Sequence, residues 1–393
     1  MTLRVVALTS VHSPFDARIF CRECRALAAT GYAVTLLAPA DFERQERDGV
    51  TVLGVPRPSH RLGRPLVWWR LFRQALRLRP DVVHFHDPEL LLLVPLLRLM
   101  LGRRCKIVYD VHEYFVDSIA VKHWIPRRWR PAVAWLARGL EQRLVRGVDG
   151  LVLAVEGQRP LYPHFRGPTA VVRNFPVATL FEGARPHPVL DVPGFRLIYV
   201  GLILPQRGID VLLEAMRRLH KEGLRDVLLF LIGPKTSPAY LERIQAFIGQ
   251  HGLEEQVRWL GPVPPDQVPH YLAGADAGLA PGLYTAQYRR PSLFTKLFEY
   301  LLAGLPVVCA DYPWSRPYVE EGRCGLVVPA EDAAAYAQAI RWLHDHPEEA
   351  REMGRRGREL VRRKYTWERE QEHLLAFYRE ILREHGARVV GGG

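Results

Sequence analysis

Strand-like apolar runs alternate with helical ones along almost the whole of this 393-residue chain, and that alternation limits the fold more than any motif does. In the first half LRVVAL, AVTLLA, DVVHFH, CKIVYDV and GLVLAV read as strands, with helices near 17–30, 65–79, 88–101 and 128–147. The second half repeats the pattern with FRLIYVG, DVLLFLIG, QVRWLG, DAGLAP, PVVCA and CGLVVP. Runs this rich in Val, Ile and Leu predict parallel strands covered by helices on both faces. The chain is too long for one ordinary core. Segment 182–194, EGARPHPVLDVPG, has the proline and glycine of a linker. The reading is therefore α/β: two doubly wound, Rossmann-like domains over 1–187 and 188–365, then a helix and tail over 366–393. Thr366 suits the N-cap of that last helix, with Glu368 and Glu370 in its first turn. Its Leu374, Tyr378 and Ile381 form a stripe that must pack somewhere. Ligands of open α/β sheets bind beyond the carboxyl ends of the strands, so the chemistry is sought where two such edges face across a cleft.

The net charge of +12 is unevenly placed. Residues 1–187 hold the whole excess and the remainder balances to zero. That asymmetry points the first half at an anionic partner. Two stretches carry it. In 61–80, Arg64, Arg70, Arg73, Arg77 and Arg79 are interleaved with Trp68, Trp69, Leu71 and Phe72, and 122–147 repeats the mixture. Basic residues with tryptophans on helices suit an anionic membrane surface, unless the tryptophans are core and the arginines merely exposed. No recognised nucleic-acid motif accompanies them, so no specific nucleic acid is expected. The longest apolar run, 90–101, is broken by Pro95 and Arg98 and falls short of the ~20 residues of a spanning helix. The N-terminal apolar segment is too short for a signal peptide. The expectation is a cytoplasmic protein, peripheral on the inner membrane face if the basic half docks there. Five cysteines, an odd number, argue against a disulfide framework, and Cys21-x-x-Cys24 reads best as one face of a buried helix.

Several polar residues stand at strand ends. DVVHFHDPELL places His84, His86, Asp87 and Glu89 there. Asp87-Pro88-Glu89 reads as cap, first-turn proline and first-turn acid. No third metal ligand is fixed by the spacing of the two histidines. CKIVYDVHEYF ends its strand at His112, either a structural histidine or a functional one. In IYVGLILPQRGIDVLLEAM, Arg207 precedes a helix start, a setting suited to phosphate. FLIGPKTS ends at Gly233, which either admits a ligand to the backbone or makes a tight turn. In RRPSLFTKLFEYLLAGLPVVCA a helix is predicted from Pro291 to Ala303, and Lys296 and Glu299 share its one polar stripe.

Taken in order, these segments resemble the family 4 retaining glycosyltransferases of GT-B fold. YVGLILPQRGIDVLLEAM, LFLIGP, VRWLGPVPPDQVPHYLAGADAGLAP, KLFEYLLAGLPVV, GRCGLVVPAEDAAAYAQAI and YTWERE carry the resemblance. HFHDPELL and IVYDVHE add a likeness to the branch that builds bacterial surface polysaccharides. The resemblance implies a nucleotide-sugar donor held chiefly by the second domain and a glycan or lipid-linked acceptor held chiefly by the first. It implies that Glu299 accepts from the donor's ribose hydroxyls and that Lys296 and Arg207 meet its phosphates. It places His112 near the donor sugar and diphosphate, and Gly201 and Gly233 at donor-side strand ends. It also implies retention, with the leaving phosphate taking the acceptor's proton, and transfer without a metal or cofactor. No Asp-x-Asp is present.

Three departures stand out. Pro291 replaces a second glutamate eight residues before Glu299, and Leu202 replaces an arginine common after Gly201. HSPFDARIF replaces a glycine pair near the first strand. Lys296, Arg289 or Arg290 is expected to supply the missing charge. Asp16 and Arg18 either take over the first loop's role toward the donor, or Asp16 caps a helix. The alternatives are a GT-B phosphorylase, a sugar-nucleotide epimerase, or a non-catalytic membrane- or nucleic-acid-binding protein.

Overall fold

The computed structural model describes residues 2–58, 60–119, 125–234, 237–284 and 290–390. The chain divides into two compact units, Met1–Asn174 with Arg369–Gly393, and Phe175–Glu368.

The first unit is built on eight strands: β1 (Arg4–Leu8), β2 (Ala33–Pro39), β3 (Arg44–Arg47), β4 (Val50–Val55), β5 (Val82–Phe85), β6 (Lys106–Val111), β7 (Gly150–Leu153) and β8 (Thr169–Val171). Their order is β3-β4-β2-β1-β5-β6-β7-β8, parallel except for the β3–β4 pair. That hairpin turns at Asp48-Gly49, both at positive φ, where Asp and Gly bear the left-handed conformation at little cost. Helices α1 (Arg25–Ala29), α2 (Arg64–Leu78), α3 (Val94–Leu101), α4 (Phe115–Ser118) and α5 (Arg130–Val145) connect the strands. Helices α2, α3 and α5 share a core with Val6, Leu8, Val83, Phe85, Ile107 and Tyr109. Successive side chains alternate faces, so His84 and Asp110 look the opposite way. His84 pairs in register with Val108, and both His84 and Asp110 are buried.

The second unit has six parallel strands: β9 (Phe195–Val200), β10 (Val227–Ile232), β11 (Val257–Gly261), β12 (Ala277–Ala280), β13 (Val307–Ala310) and β14 (Gly325–Val328). Their order is β11-β10-β9-β12-β13-β14. Helices α6 (Ile209–Lys221), α7 (Pro238–His251), α8 (Val268–Ala273), α9 (Thr295–Ala303), α10 (Arg316–Gly322), α11 (Ala333–Asp345) and α12 (Pro347–Lys364) link and follow them. In each unit the chain winds one way from a central strand, then crosses to that strand's other side. The crossing lies between β1 and β5 in the first unit and between β9 and β12 in the second.

The domain boundaries expected at 187 and 365 are corrected. The division falls after Asn174, and 182–194 is no free linker. Leu190 is fully buried against Gly274, and His187 stacks on Tyr271 at 4.1 Å, so the proline-rich segment is packed onto the second unit. The terminal helix α13 (Trp367–Val390) belongs from Arg369 onward to the first unit. Its Leu374, Phe377, Tyr378 and Ile381 are buried there, and a Cβ on Gly150 would strike the Phe377 ring at 2.5 Å. The helix expected at 17–30 begins instead as a π-helix, Ile19–Cys24. The helix expected from Pro291 begins at Thr295, because the Phe294 ring packs edge-on against Trp314 at 4.5 Å and leaves its own backbone non-helical.

If α13 completes the first unit's core, Phe377→Ala lowers stability by about 3–5 kcal/mol, the range for emptying a buried aromatic site. Urea unfolding followed by circular dichroism checks this.

Candidate functional site

The crossover between β9 and β12 brings two backbone loops together at the carboxyl edge of the second sheet. The turn Pro205–Arg207 ends at Gly208, whose φ of 76° opens α6. A Cβ on Gly208 would meet Pro281 at 2.9 Å, and the Leu283 amide donates to the Gln206 carbonyl at 3.3 Å. Gly233 has φ +149°, and a Cβ there would lie 1.8 Å from the Gly201 carbonyl oxygen. Gly201 and Gly233 are thus neighbours, and packing of backbone on backbone explains Gly233.

Helix α9 is fixed beneath this edge by Tyr300, whose hydroxyl accepts from the Val200 amide at 2.8 Å. The same ring fills the space left by Gly278. Glu299, one residue earlier, has a side chain only 12% exposed, and its Oε2 accepts from Lys296 Nζ at 2.7 Å. The Lys296 side chain is 37% exposed. Glu299 Oε1 accepts no hydrogen bond among the described residues. A carboxylate held by one lysine, with its second oxygen open, can accept from hydroxyl groups, and the lysine retains two further donors. Arg207 is half-buried on the adjoining turn. Arg289 lies outside the described residues.

In the first unit, the crossover between β1 and β5 is closed by Asp87. It accepts from the Ser10 amide at 2.5 Å and from the hydroxyls of Thr9 at 2.8 Å and Ser10 at 3.2 Å. His12 Nε2 lies 3.3 Å from its other oxygen. The capping role expected for Asp87 is therefore corrected: no cap hydrogen bond forms, because the carboxylate is used across the sheet. Glu89 keeps its first-turn place and accepts from Ser10 Oγ at 3.1 Å. His112 leaves β6 with its ring centroid 5.4 Å from that of His12. Asp16 caps the following turn by accepting from the Arg18 and Ile19 amides at 2.8 and 3.0 Å, and its Oδ2 lies 3.7 Å from His12. Sequence reasoning missed His12. The signal was its place just beyond the first strand, at the crossover itself.

Arg18 does not take the donor-facing place expected of it. It is buried, donating to both oxygens of Asp110 at 3.1 Å each and to the Val172 carbonyl at 2.7 Å. Its Nε also lies 2.9 Å from Glu23 Oε1. The π-helix causes this: its i→i+5 bond from the Glu23 amide to the Arg18 carbonyl brings two residues five apart onto one face. Glu23, His84, His86 and Asp110 offer donor atoms all within 4.8 Å of one another. Those residue types hold metal ions, but here the Arg18 guanidinium already supplies the cation both carboxylates face. Cys21 and Cys24 are free thiols on the same π-helix, and burial raises the pKa of each.

Burial alone would lower the pKa of His12. The Asp87 hydrogen bond and charge, with Asp16 and Glu113, outweigh burial and raise it. Burial opposes ionisation of Asp87, and the His12 hydrogen bond and charge overcome it to hold Asp87 below the usual carboxylate range.

The halves of the chain match two family profiles. Residues 17–178 match the glycosyl transferase 4-like domain, and 184–360 match glycosyl transferases group 1. D-rhamnosyltransferase WbpZ of Pseudomonas aeruginosa is 25% identical over 314 residues, covering 76% of this chain and 73% of that protein. Alpha-D-kanosaminyltransferase of Streptomyces kanamyceticus is 26% identical over 47% of this chain, an alignment that spans only 45% of that relative. The Anabaena protein Alr3699/HepE, solved with UDP-glucose, superposes with a TM-score of 0.70 at 15% identity, over 98% of this chain and all of that one. The fold is GT-B.

The His12 and Asp87 shifts set opposite pH limbs. The His12 contribution to stability is fully present below its ordinary pKa of 6.5 and is lost as pH rises through the raised value. That of Asp87 is present above 3.8 and lost as pH falls through the lowered value. His12→Gln is therefore most destabilising just below pH 6.5, and its urea midpoint approaches that of the wild type as pH rises through the raised His12 value.

Proposed function

We propose that this chain, which belongs to the glycosyltransferases described by those two profiles, moves a hexose-type sugar from a nucleoside diphosphate to an acceptor hydroxyl. Retention at the transferred carbon and independence of metal are part of the reading. The observation that carries it is Glu299, screened from water, holding Lys296 and keeping one oxygen open beside the β9–β12 crossover. Glu299 would accept from the two ribose hydroxyls, and Lys296 would turn to the diphosphate. Arg207 stands on the turn that opens α6, where a cation and backbone amides suit phosphate. As the sugar–phosphate bond breaks, negative charge grows on the leaving diphosphate. Fixed cations that meet this charge stabilise the transition state more than the ground state. The departing phosphate then accepts the acceptor's proton, so no paired-carboxylate machinery is required. By the family resemblance, His112 is a ring donor of the kind that supports developing phosphate charge. The WbpZ relative and the HepE–UDP-glucose neighbour favour a sugar-nucleotide donor and a glycan product.

The acceptor's surroundings are read from the outer face of the first unit. Leu62, Leu66 and Trp69 near and on α2, Leu99 and Met100 on α3, and Trp129, Trp135 and Leu136 near and on α5 are exposed. Trp68, by contrast, packs against the core. Residues 120–124 of the second basic stretch lie outside the described residues. A hollow of about 650 Å³ is lined by Arg127, Arg130, Trp135, Arg138 and Asp117. Arginines around exposed tryptophans fit the headgroup zone of an anionic membrane, where a lipid-linked acceptor would be presented. No helix among the described residues is long and apolar enough to cross a membrane.

Thermal shift against UDP-, GDP- and ADP-sugars identifies the donor, because a ligand of the native state raises the melting temperature. Glu299→Gln weakens that nucleotide about 10–100-fold, the loss of a charge-assisted hydrogen bond of about 1.5–3 kcal/mol. Lys296→Met lowers kcat about 10²–10³-fold. Wild-type affinity and rate in both variants refute the donor assignment. The protein co-sediments with phosphatidylserine vesicles at low salt and is released at high salt, and the Trp69→Ala, Trp135→Ala double variant binds weakly. Failure of the wild type to bind at low salt refutes the membrane reading.

A further inference from the structure

Beneath His112 lies a polar cluster sealed from water: Arg18, Glu23, His84, His86 and Asp110 are each at most 4% exposed. The charge count is incomplete. One guanidinium faces two carboxylates, and neutral histidines add nothing. A second uncompensated negative charge at this depth is strongly disfavoured, so the cluster must bind a proton. Contact geometry says where. Glu23 and Asp110 present oxygens within 4.8 Å of each other, and both Glu23 oxygens are buried with no hydrogen-bond partner among the described residues, a setting far costlier for a carboxylate than for a neutral acid. Arg18 grips Asp110 through two bonds, while Glu23 meets only its Nε. Asp110 therefore keeps the charge and Glu23 the hydrogen.

The next layer is equally constrained. Asp110 Oδ2 lies 3.3 Å from His86 Nδ1 and 3.3 Å from His112 Nε2, and those two nitrogens are 3.0 Å apart. Only one hydrogen fits between two facing nitrogens at that distance. Among the described residues His86 Nε2 is buried without a partner, a tolerable state for a bare lone pair but a poor one for an N–H. His86 therefore carries its hydrogen on Nδ1 and His112 accepts it at Nε2. A neutral His112 must then bear its own hydrogen on Nδ1.

We propose that Glu23 holds a buried proton beside an ionised Asp110 under His86 and His112, and that this cluster, acting through His86, fixes His112 as an Nδ1–H donor. His86, Glu23 and Asp110 are positioning residues, and the catalytic consequence rests on the reading of His112 given above. The groups facing Glu23 are Arg18, Asp16 and Asp110 by charge, with His84, His86, Cys24 and Tyr378 around it. Those facing His86 are Asp110, His112, Asp87, Glu23 and the stacked His84, whose own neighbours include Arg18 and whose Nδ1 bonds the Tyr378 hydroxyl at 2.9 Å. The directions of titration agree. Burial and then the Asp110 charge raise Glu23 well above the usual carboxyl range. Against its own burial, Asp110 is held well below that range, chiefly by Arg18.

Two measurements need no sugar donor and so stand apart from the transfer reading. Difference infrared spectra at neutral pH should contain a protonated-carboxyl band that Glu23→Gln abolishes, while the melting temperature stays within about 2 °C of wild type, because glutamine mimics the protonated acid. Nitrogen-15 spectra should show His112 protonated on Nδ1, and His86→Phe should mix its tautomers. In turnover, His86→Phe should lower kcat about tenfold with the donor KM unchanged and should shift the pH–kcat profile. His86→Gln, which keeps a donor, should recover part of the rate. Absence of the band, its survival in Glu23→Gln, an Nε2–H His112, or a stoichiometric metal in the purified protein would each overturn the proposal. A protein with the band and tautomer but no transferase activity would refute the transfer reading alone.

Discussion

Arg18 donates to both oxygens of Asp110 and to the Val172 carbonyl with almost no access to water, and much of the first unit is arranged around that guanidinium. Truncating one partner of such a pair leaves an uncompensated buried charge and costs about 3–5 kcal/mol. The π-helix exists at the place where Arg18 and Glu23 must face the same way. The alternation of β5 and β6 places His84, His86 and Asp110 on the side of the sheet that this helix covers. Helix α13 closes the cluster from beyond with the Tyr378 hydroxyl. A buried ion pair is weak evidence for stability by itself. Here it selects one arrangement of the strand ends, and His112 inherits its position from that choice.

The second unit reaches its arrangement by other means. Its carboxyl edge is set by backbone contact, with Gly201 against Gly233 and Gly208 against Pro281, and by the buried phenol of Tyr300. Charge enters at the margin, where Glu299 is largely screened from water and Lys296 is partly wet. One unit thus presents a histidine over a fixed electrostatic floor. The other presents an acid and an amine with unused bonding capacity on a rigid helix.

Much of this was legible in the sequence because apolar runs of β-prone residues leave little choice but a buried parallel strand. The eleven strands read from such runs are all present. Three strands were missed. Strand β3 is entirely polar and exposed and β8 is three residues long, so neither carries an apolar signal, whereas β4, VTVLGV, carries one and was overlooked. The Asp48-Gly49 turn was the available clue to the first. Lys296 and Glu299 were found because helical spacing isolates them on an apolar helix. The pairing of Arg18 with Glu23 escaped because a five-residue spacing has no meaning in a 3.6-residue period. Asp87 was read as a local cap, yet its partners are Ser10 and Thr9, far away in sequence, and tertiary contact outweighed local preference. The same holds for Phe294, whose contact with Trp314 delays the helix that Pro291 seemed to begin.

The second unit is one unbroken stretch, and its two ends meet where the Trp367 amide donates to the Pro176 carbonyl at 2.8 Å. The first unit is different: its fold is begun by the opening 174 residues and finished only by the closing 25. During synthesis the later-born stretch can therefore reach its native state while the earlier one still waits for its final helix. Until helix α13 has left the ribosome, the face of the opening sheet that receives Phe377 and Tyr378 stays bare. Such unfinished surfaces are where nascent chains go astray, so a helix made after the second unit governs the fate of the first.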